Sequence, residues 1–238
     1  MAMKKHFNPG PKIYMLFLVL LQISACSVHK NVMETKQKAF SILGLGDSIT
    51  EGGPDFFSYL FPLDSLLKQH GYQSNFIGPR FSILHGDTLH HAGFSGKTTE
   101  FLAKSIDSIY AAFPADIVLL HSGHNHFQEE APIGGIIQAQ QKIIRVIKSK
   151  NPKAIIFVAG VITSGKLPKY AYIPDLDLSI KKMVDSMHDA SITFVDQQQQ
   201  WDWNIHAIQD KVHPNKTGAL VIATNWFDAM IKEFNKQQ

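Results

Sequence analysis

Three side chains from opposite ends of the chain could together activate a serine hydroxyl. Ser48 follows a Gly-Asp pair, and Asp210 and His213 stand three residues apart near the other end of the sequence. A serine oxygen is a weak nucleophile until a neighbouring base takes its proton. An imidazole is such a base when a carboxylate holds its second nitrogen, because the carboxylate fixes the tautomer and stabilises the imidazolium. The spacing therefore predicts nucleophilic attack by Ser48, assisted by the His213–Asp210 pair.

Two further loops could stabilise the negative charge that such an attack creates on the substrate oxygen. The loop 93–97 offers the backbone N–H of Gly96, and the loop 122–126 offers the carboxamide of Asn125. A donor aimed at a developing oxyanion contributes roughly two to three orders of magnitude in rate. Taken singly, each of these residues is an ordinary turn residue. The hypothesis therefore depends on a fold that brings the loops together.

The elements that would position these loops alternate along the chain. Five apolar runs are typical of strands: 40–45, 75–77, 116–121, 154–161 and 192–195. Between and after them, helical periodicity is found at 60–67, 101–110, 136–147 and 220–231. A further helix with less clear periodicity is predicted at 177–188, and Trp226 is expected in the core. This alternation predicts an α/β fold, a three-layer α/β/α sandwich with a five-stranded parallel sheet.

In an open parallel sheet the ligand crevice lies beyond the carboxyl ends of the strands. The five loops that leave the predicted strands are 46–55, 78–99, 122–132, 162–177 and 196–215, and they hold every candidate residue named above. Further side chains in these loops are predicted as possible substrate contacts: Asp47, His124, Tyr170 and Trp201.

The candidate residues fall into four motifs, in a fixed order. These are Gly46-Asp47-Ser48, Ser95-Gly96, Gly123-His124-Asn125 and Asp210-Lys211-Val212-His213-Pro214. Their order and loop context resemble those of the SGNH (GDSL) hydrolases over residues 40–234. The resemblance implies a flavodoxin-like fold and an oxyanion hole formed by the N–H groups of Ser48 and Gly96 with the Asn125 side chain. The implied serine mechanism requires no cofactor.

Several longer phrases are similar to carbohydrate esterase family 3 and to related acetyl esterases, including acetyl xylan esterase-like lipoproteins. They are Gly-Asp-Ser-Ile-Thr-Glu-Gly at 46–52, the stretch 66–78, His-Ala-Gly-Phe-Ser-Gly at 91–96 and Val-His-Pro-Asn at 212–215. The resemblance implies hydrolysis of acyl esters, acetyl esters foremost, on carbohydrates. One position departs from the family, since Asp usually follows the Asn of the third motif and His126 stands here.

Other interpretations remain open from the residues alone. A lysophospholipase or thioesterase of the same superfamily would use the same catalytic groups. Histidines at 85, 90, 91, 121, 124 and 126 could instead bind Zn²⁺, although the preferred interpretation expects no metal. A non-catalytic glycan-binding lipoprotein could use Trp201, Trp203, Tyr170 and Tyr172 to stack on sugar rings.

The N-terminus carries the features of a lipoprotein signal peptide. Three lysines precede an apolar run at 13–23, which is too short to cross a bilayer as a helix. The run leads into Ser24-Ala25-Cys26, which resembles a lipobox. We expect a signal peptide at 1–25, lipidation of Cys26, a polar tether at 26–38 and the hydrolase domain at 39–238. This organisation predicts a lipid-anchored protein of the bacterial cell envelope.

The charge balance argues against a nucleic-acid partner. Three of the 23 basic residues and none of the 20 acidic residues lie in the predicted signal peptide, so the remainder is neutral. The chain contains only two arginines, Arg80 and Arg145. Arginines that read phosphates in a bidentate manner are therefore scarce. The expected partner is an acylated carbohydrate, with membrane contact only through the anchor at Cys26.

Overall fold

A computed structural model describes residues 1–4, 6 and 39–236. The chain divides into two units, Met1–Thr35 and Lys36–Gln238, and the second is described below. The predicted lipobox with Cys26 and the tether lie outside the described residues, as does almost all of the signal peptide. Among the helices that are described, none has the length and apolarity needed to cross a membrane.

A seven-stranded sheet forms the centre of the second unit. Its strands are β1 (Phe40–Gly46), β2 (Ser74–Phe76), β3 (Arg80–Leu84), β4 (Asp87–Gly93), β5 (Ile117–His121), β6 (Ile155–Ala159) and β7 (Ile192–Val195). The strand order is β3-β4-β1-β5-β6-β7. On one side of β1, its first residues pair with β2 and its last residues pair with β4. All pairings are parallel except the antiparallel pair β3–β4.

Helices cover both faces of this sheet. They are α1 (Ser48–Glu51), α2 (Leu60–Gln69), α3 (Thr99–Ala112), α4 (Ile133–Lys150), α5 (Ile173–Ser186), α6 (Trp203–His206) and α7 (Lys216–Lys236), with a 3₁₀ turn at Gln128–Glu130. One apolar cluster joins the sheet to α3, α4 and α5, and a second joins its other face to α2 and α7. The predicted three-layer α/β/α sandwich is confirmed, and Trp226 is fully buried in the second cluster.

The apolar run of β5 shows why the central strands are buried on both faces. Val118 and Leu120 belong to the first cluster, whereas Ile117 and Leu119 belong to the second. Successive side chains of a strand point to opposite faces, so an uninterrupted apolar strand contributes to both cores. Each buried Leu or Ile side chain contributes about 1.5–3 kcal/mol relative to an exposed one.

The prediction of five strands was wrong at one place, since part of the expected loop 78–99 forms the β3–β4 hairpin. Its two-residue turn is His85-Gly86, with φ angles of 51° and 93°. Positive φ at both central residues is typical of the type I′ turns that join hairpin strands. The strands escaped prediction because polar residues interrupt them and because β3 is an edge strand on which Phe81 and Ile83 are exposed.

Candidate active site

Ser48 is positioned by a sharp turn from the end of β1 into α1. Asp47 caps the helix, because its Oδ1 accepts the N–H of Ile49 at 3.0 Å. Gly46 is required just before it, since a Cβ at that position would collide with the carbonyl oxygen of His121 on β5. This close approach places Ser48 at the carboxyl end of the sheet, as the sequence predicts.

Ser48, His213 and Asp210 form one hydrogen-bonded chain. Ser48 Oγ lies 2.8 Å from His213 Nε2, and His213 Nδ1 lies 2.5 Å from Asp210 Oδ2. Asp210 is an acceptor only, so Nδ1 carries the proton and the lone pair of Nε2 faces the serine hydroxyl. The turn that joins the two residues is made by Lys211, whose φ of 61° is left-handed. The arrangement has the geometry of a serine nucleophile with its base and the carboxylate that orients the base.

The carboxyl of Asp210 is held in its ionised form. Its other oxygen accepts the backbone N–H groups of Val212 at 2.9 Å and His213 at 3.0 Å. Burial raises the pKa of Asp210, but the hydrogen bonds from the His213 side chain and from the two N–H groups outweigh burial, so the net pKa is lowered. Asp210 is therefore a charged partner for an imidazolium that forms on His213.

Phe56 packs on the histidine and is a residue that sequence reasoning missed. Its ring stacks on the His213 ring with centroids 4.1 Å apart and an interplanar angle of 26°. The N–H of Phe57 donates to the carbonyl of Pro214 at 3.1 Å, which fixes the loop beside the histidine. Phe56 lies in a loop without apolar periodicity, so the sequence offers no signal for this contact.

The two loops expected to supply oxyanion donors are joined to each other. Asn125 Nδ2 donates to the carbonyl of Lys97 at 3.0 Å, which connects the 122–126 loop to the loop of Gly96. Gly96 has a φ of 72°, a left-handed conformation that favours glycine, and a Cβ there would meet no described atom within 4 Å. A side chain at position 96 would therefore point into open space, and the positive φ is what favours glycine there.

Glu51 links the nucleophile helix to the Gly96 loop and to the hairpin. Its Oε2 accepts the N–H of Ser95 at 2.6 Å, and its Oε1 pairs with Arg80 on β3. Ser82, also on β3, donates its hydroxyl to the Glu51 carbonyl at 2.6 Å. Sequence reasoning did not single out Glu51, although it lies in the Gly-Asp-Ser-Ile-Thr-Glu-Gly phrase. The hairpin thus braces helix α1 directly and the Gly96 loop through Glu51.

Residues 45–221 match the model of the GDSL-like Lipase/Acylhydrolase family. The chain belongs to this family. Its members hydrolyse esters, which agrees with the serine, histidine and carboxylate geometry described above. No functionally curated protein matches the chain in sequence.

Solved structures similar to this GDSL-like hydrolase include two family 3 carbohydrate esterases. The one from Clostridium thermocellum is 26% identical with a TM-score of 0.71, and the match covers 84% of this chain and 99% of that one. The one from Talaromyces cellulolyticus is 21% identical with a TM-score of 0.70, covering 82% and 98%. A mutant acetyl esterase with acetate ion is 21% identical with a TM-score of 0.65, covering 83% and 99%.

His126, the residue after Asn125, lies between two carboxylates. Its Nε2 lies 3.0 Å from Glu100 Oε2 on α3, and its Nδ1 lies 3.2 Å from Glu130 Oε2. Glu130 also accepts the N–H of Phe127 at 3.0 Å. The two carboxylates therefore hold the chain in place directly after Asn125.

The side chains predicted as substrate contacts lie beneath the surface. Asp47 is fully buried, and His124, Tyr170 and Trp201 are buried as well. Trp201 Nε1 donates to the carbonyl of Thr163 at 2.9 Å, so its polar edge is already used. Ser48 itself is only 6% exposed, so the assignment of these four side chains as substrate contacts stays a prediction.

Asp47 and His124 form a buried polar layer under the serine. Asp47 Oδ2 and His124 Nδ1 are 3.9 Å apart, and neither atom has a hydrogen-bond partner among the described residues. Burial raises the pKa of Asp47 to about 7 and lowers that of His124 to about 3. Burial also lowers the pKa of His121 to about 4.

Over residues 39–236, no three His, Cys, Asp or Glu side chains converge as a metal site would require.

Proposed function

We propose that this GDSL-like hydrolase is a serine esterase that removes acyl groups, acetyl foremost, from carbohydrates. The observation that carries the proposal is the hydrogen-bonded chain from Ser48 Oγ through His213 to Asp210, with distances of 2.8 and 2.5 Å. Glycan binding alone does not require a base that is hydrogen-bonded to a serine hydroxyl. The geometry therefore favours catalysis over the non-catalytic alternative.

The first half of the proposed reaction forms an acyl-enzyme. Ser48 Oγ attacks the ester carbonyl carbon while His213 Nε2 takes the hydroxyl proton. The N–H groups of Ser48 and Gly96 and the Asn125 carboxamide donate to the oxyanion of the tetrahedral intermediate. As the intermediate collapses, the bond to the sugar oxygen breaks and His213 gives its proton to that oxygen.

The second half releases the acid and restores the enzyme. Water enters beside His213, which takes one proton while the water oxygen attacks the acyl carbon. The second tetrahedral intermediate uses the same donors. It collapses to the free acid, and Ser48 Oγ recovers its proton from His213. The carboxylate of Asp210 stabilises the imidazolium in both halves.

The structural neighbours support a carbohydrate ester as the substrate. Two of them are family 3 carbohydrate esterases, and a third is an acetyl esterase with an acetate ion. Each match covers at least 98% of the neighbour, so the shared fold includes the whole of each neighbouring chain. Lysophospholipids and acyl thioesters are the alternative substrates of the same catalytic groups.

A panel of substrates tests the proposal. Acetate release from acetylated xylan and other acetylated glycans is measured beside hydrolysis of a lysophospholipid and an acyl-CoA. We expect acetate release from at least one acetylated glycan and its loss in Ser48→Ala. Turnover of the lysolipid or acyl-CoA without acetate release from any glycan would contradict the proposal. So would glycan binding without turnover of any ester.

A further inference from the structure

A groove runs between the hairpin and the chain that follows α1. Its cavity has a volume of about 590 Å³. Its walls include Glu51, Phe56, Phe57, Phe61, Leu84 and Lys216. A neighbouring cavity of about 360 Å³ shares Phe57, Phe61, Leu84, His85 and Lys216 and extends along α7 to Leu220. We call these two cavities together the hairpin groove.

One aromatic ring, that of Phe56, lies between the hairpin groove and the catalytic histidine. Phe56 lines the groove and stacks on the ring of His213, at a centroid distance of 4.1 Å. In the proposed reaction the leaving oxygen must lie within hydrogen-bond reach of His213 Nε2, because that atom gives it a proton. The oxyanion points elsewhere, toward Gly96 and Asn125. A groove that starts at Phe56 is therefore placed to hold the alcohol half of the ester.

The lining of the main cavity combines aromatic rings with polar groups, which suits a sugar chain. Phe56, Phe57 and Phe61 are half-buried, so each shows part of a ring to the groove. Phenyl faces pack against the C–H faces of sugar rings, while a few placed polar groups satisfy the hydroxyls. Lys216 and His85 are exposed on the same walls and can supply such groups. The neighbouring cavity is lined mainly by apolar side chains, so the main cavity carries the argument for a sugar chain.

We propose that the hairpin groove binds the carbohydrate chain that carries the scissile ester, beyond the sugar ring at the serine. The inference rests on the proposed function and names the half of the substrate that this surface recognises. The main cavity falls within the range of about 300–1,000 Å³ that is usual for ligand sites, and the second cavity extends it. Substrates with longer sugar chains are thus favoured over small esters with the same acyl group.

Filling the groove tests this inference. Leu84→Trp narrows the space on the hairpin side, and Lys216→Ala removes a donor. Leu178→Trp is the matched control, since Leu178 is 58% exposed on α5 and does not line the groove. We expect the first two variants to lower kcat/KM for acetylated xylo-oligosaccharides by about tenfold, equivalent to about 1.4 kcal/mol, chiefly through KM. For 4-nitrophenyl acetate, which lacks the sugar chain, the same two variants should lose less kcat/KM than for the oligosaccharides, and Leu178→Trp should match wild type on both substrates.

The outcomes separate this inference from the proposed function. Acetate release from xylo-oligosaccharides that is equal in wild type, Leu84→Trp and Lys216→Ala would overturn the groove and leave the function standing. Equal losses of kcat/KM on xylo-oligosaccharides and on 4-nitrophenyl acetate would also overturn the groove assignment, because they indicate a general disturbance of the fold.

Binding decides the case in which the wild type releases no acetate from any glycan. That result overturns the proposed function. Affinity of the Ser48→Ala variant for deacetylated xylo-oligosaccharides is then measured by calorimetry, with and without Leu84→Trp or Leu178→Trp. Weaker binding only with Leu84→Trp supports the groove, and absent or unaltered binding overturns it.

Discussion

At the scale of single residues, the chain Ser48–His213–Asp210 lets one imidazole take the serine proton while a carboxylate holds its second nitrogen. Each residue type is needed for one step of nucleophilic catalysis, and Asp210 and His213 are only three residues apart, so this chain was predictable from the sequence. The stacking of Phe56 on His213 was not predictable, since any apolar loop residue could occupy that place. The burial of Asp47 and His124 was missed for a related reason, because polar residues in loops are usually exposed.

Asp47 should make stability depend on pH. Burial raises the pKa of its carboxyl from 3.8 to about 7, so the folded protein holds this proton more tightly than the unfolded chain. The contribution of Asp47 to stability is therefore lost as pH rises from about 4 to about 7. Asp47→Asn keeps an oxygen to cap Ile49 and removes the titration. We expect its free energy of unfolding in urea to rise relative to wild type between pH 4 and 8.

If the free energies of unfolding of Asp47→Asn and wild type differed by the same amount across this pH range, the raised pKa of Asp47 would be contradicted. Glu129→Gln serves as the control, because Glu129 is an exposed carboxyl. Its unfolding free energy should follow that of wild type at every pH.

Asn125 tests the oxyanion hole. Its carboxamide reaches the loop of Gly96 through the Lys97 carbonyl, at 3.0 Å. If the same amide group donates to the oxyanion, Asn125→Ala should lower kcat by about a hundredfold or more while KM changes little. Steady-state hydrolysis of 4-nitrophenyl acetate measures both constants. A loss confined to KM would assign Asn125 to substrate binding instead.

At the scale of elements, the parallel strands were predictable because apolar runs such as β5 and β6 are buried on both faces. The β3–β4 hairpin was not predictable from the sequence, although it contacts the helix that follows the nucleophile turn. β3 carries Arg80 and Ser82 to Glu51, and these contacts depend on pairing between distant residues that no local pattern records. Polar residues interrupt the apolar pattern of both hairpin strands, which explains why the 78–99 segment was misassigned.

The two arginines of the chain allow a matched test of this brace. Arg80 pairs with Glu51, whereas Arg145 is exposed on α4. Arg80→Met should loosen the Gly96 loop through Glu51 and lower kcat by about tenfold, the usual scale of a lost hydrogen bond to a charged group. Arg145→Met should leave kcat unchanged. Equal kcat values for the two variants in aryl acetate hydrolysis would show that the hairpin does not brace the site.

At the scale of the whole molecule, the fold and family follow from the order of four short motifs on one edge of a parallel sheet. The family match over residues 45–221 confirms that inference. The chemistry of the substrate is less constrained by sequence, because the hairpin groove is assembled from segments as distant as Phe56, Leu84 and Lys216. Such a surface exists only after folding.

The envelope location stays a prediction that rests on the lipobox-like sequence ending at Cys26. We expect the full chain, expressed in a bacterium, to be recovered with the membranes and released by detergent. Cys26→Ser should be recovered without detergent, because it lacks the thiol that would carry the lipid. Immunoblots of the two fractions measure the difference. Identical distribution of both proteins would contradict lipid anchoring.

The most direct measurement of the central claim compares Ser48→Ala with wild type in the hydrolysis of 4-nitrophenyl acetate. The hydroxyl of Ser48 lies 2.8 Å from His213 Nε2 and is the atom proposed to attack the ester. We expect turnover to fall to the level of the uncatalysed reaction while the urea unfolding midpoint stays within error of wild type. Retained turnover in this folded variant would contradict the assignment of Ser48 as the nucleophile.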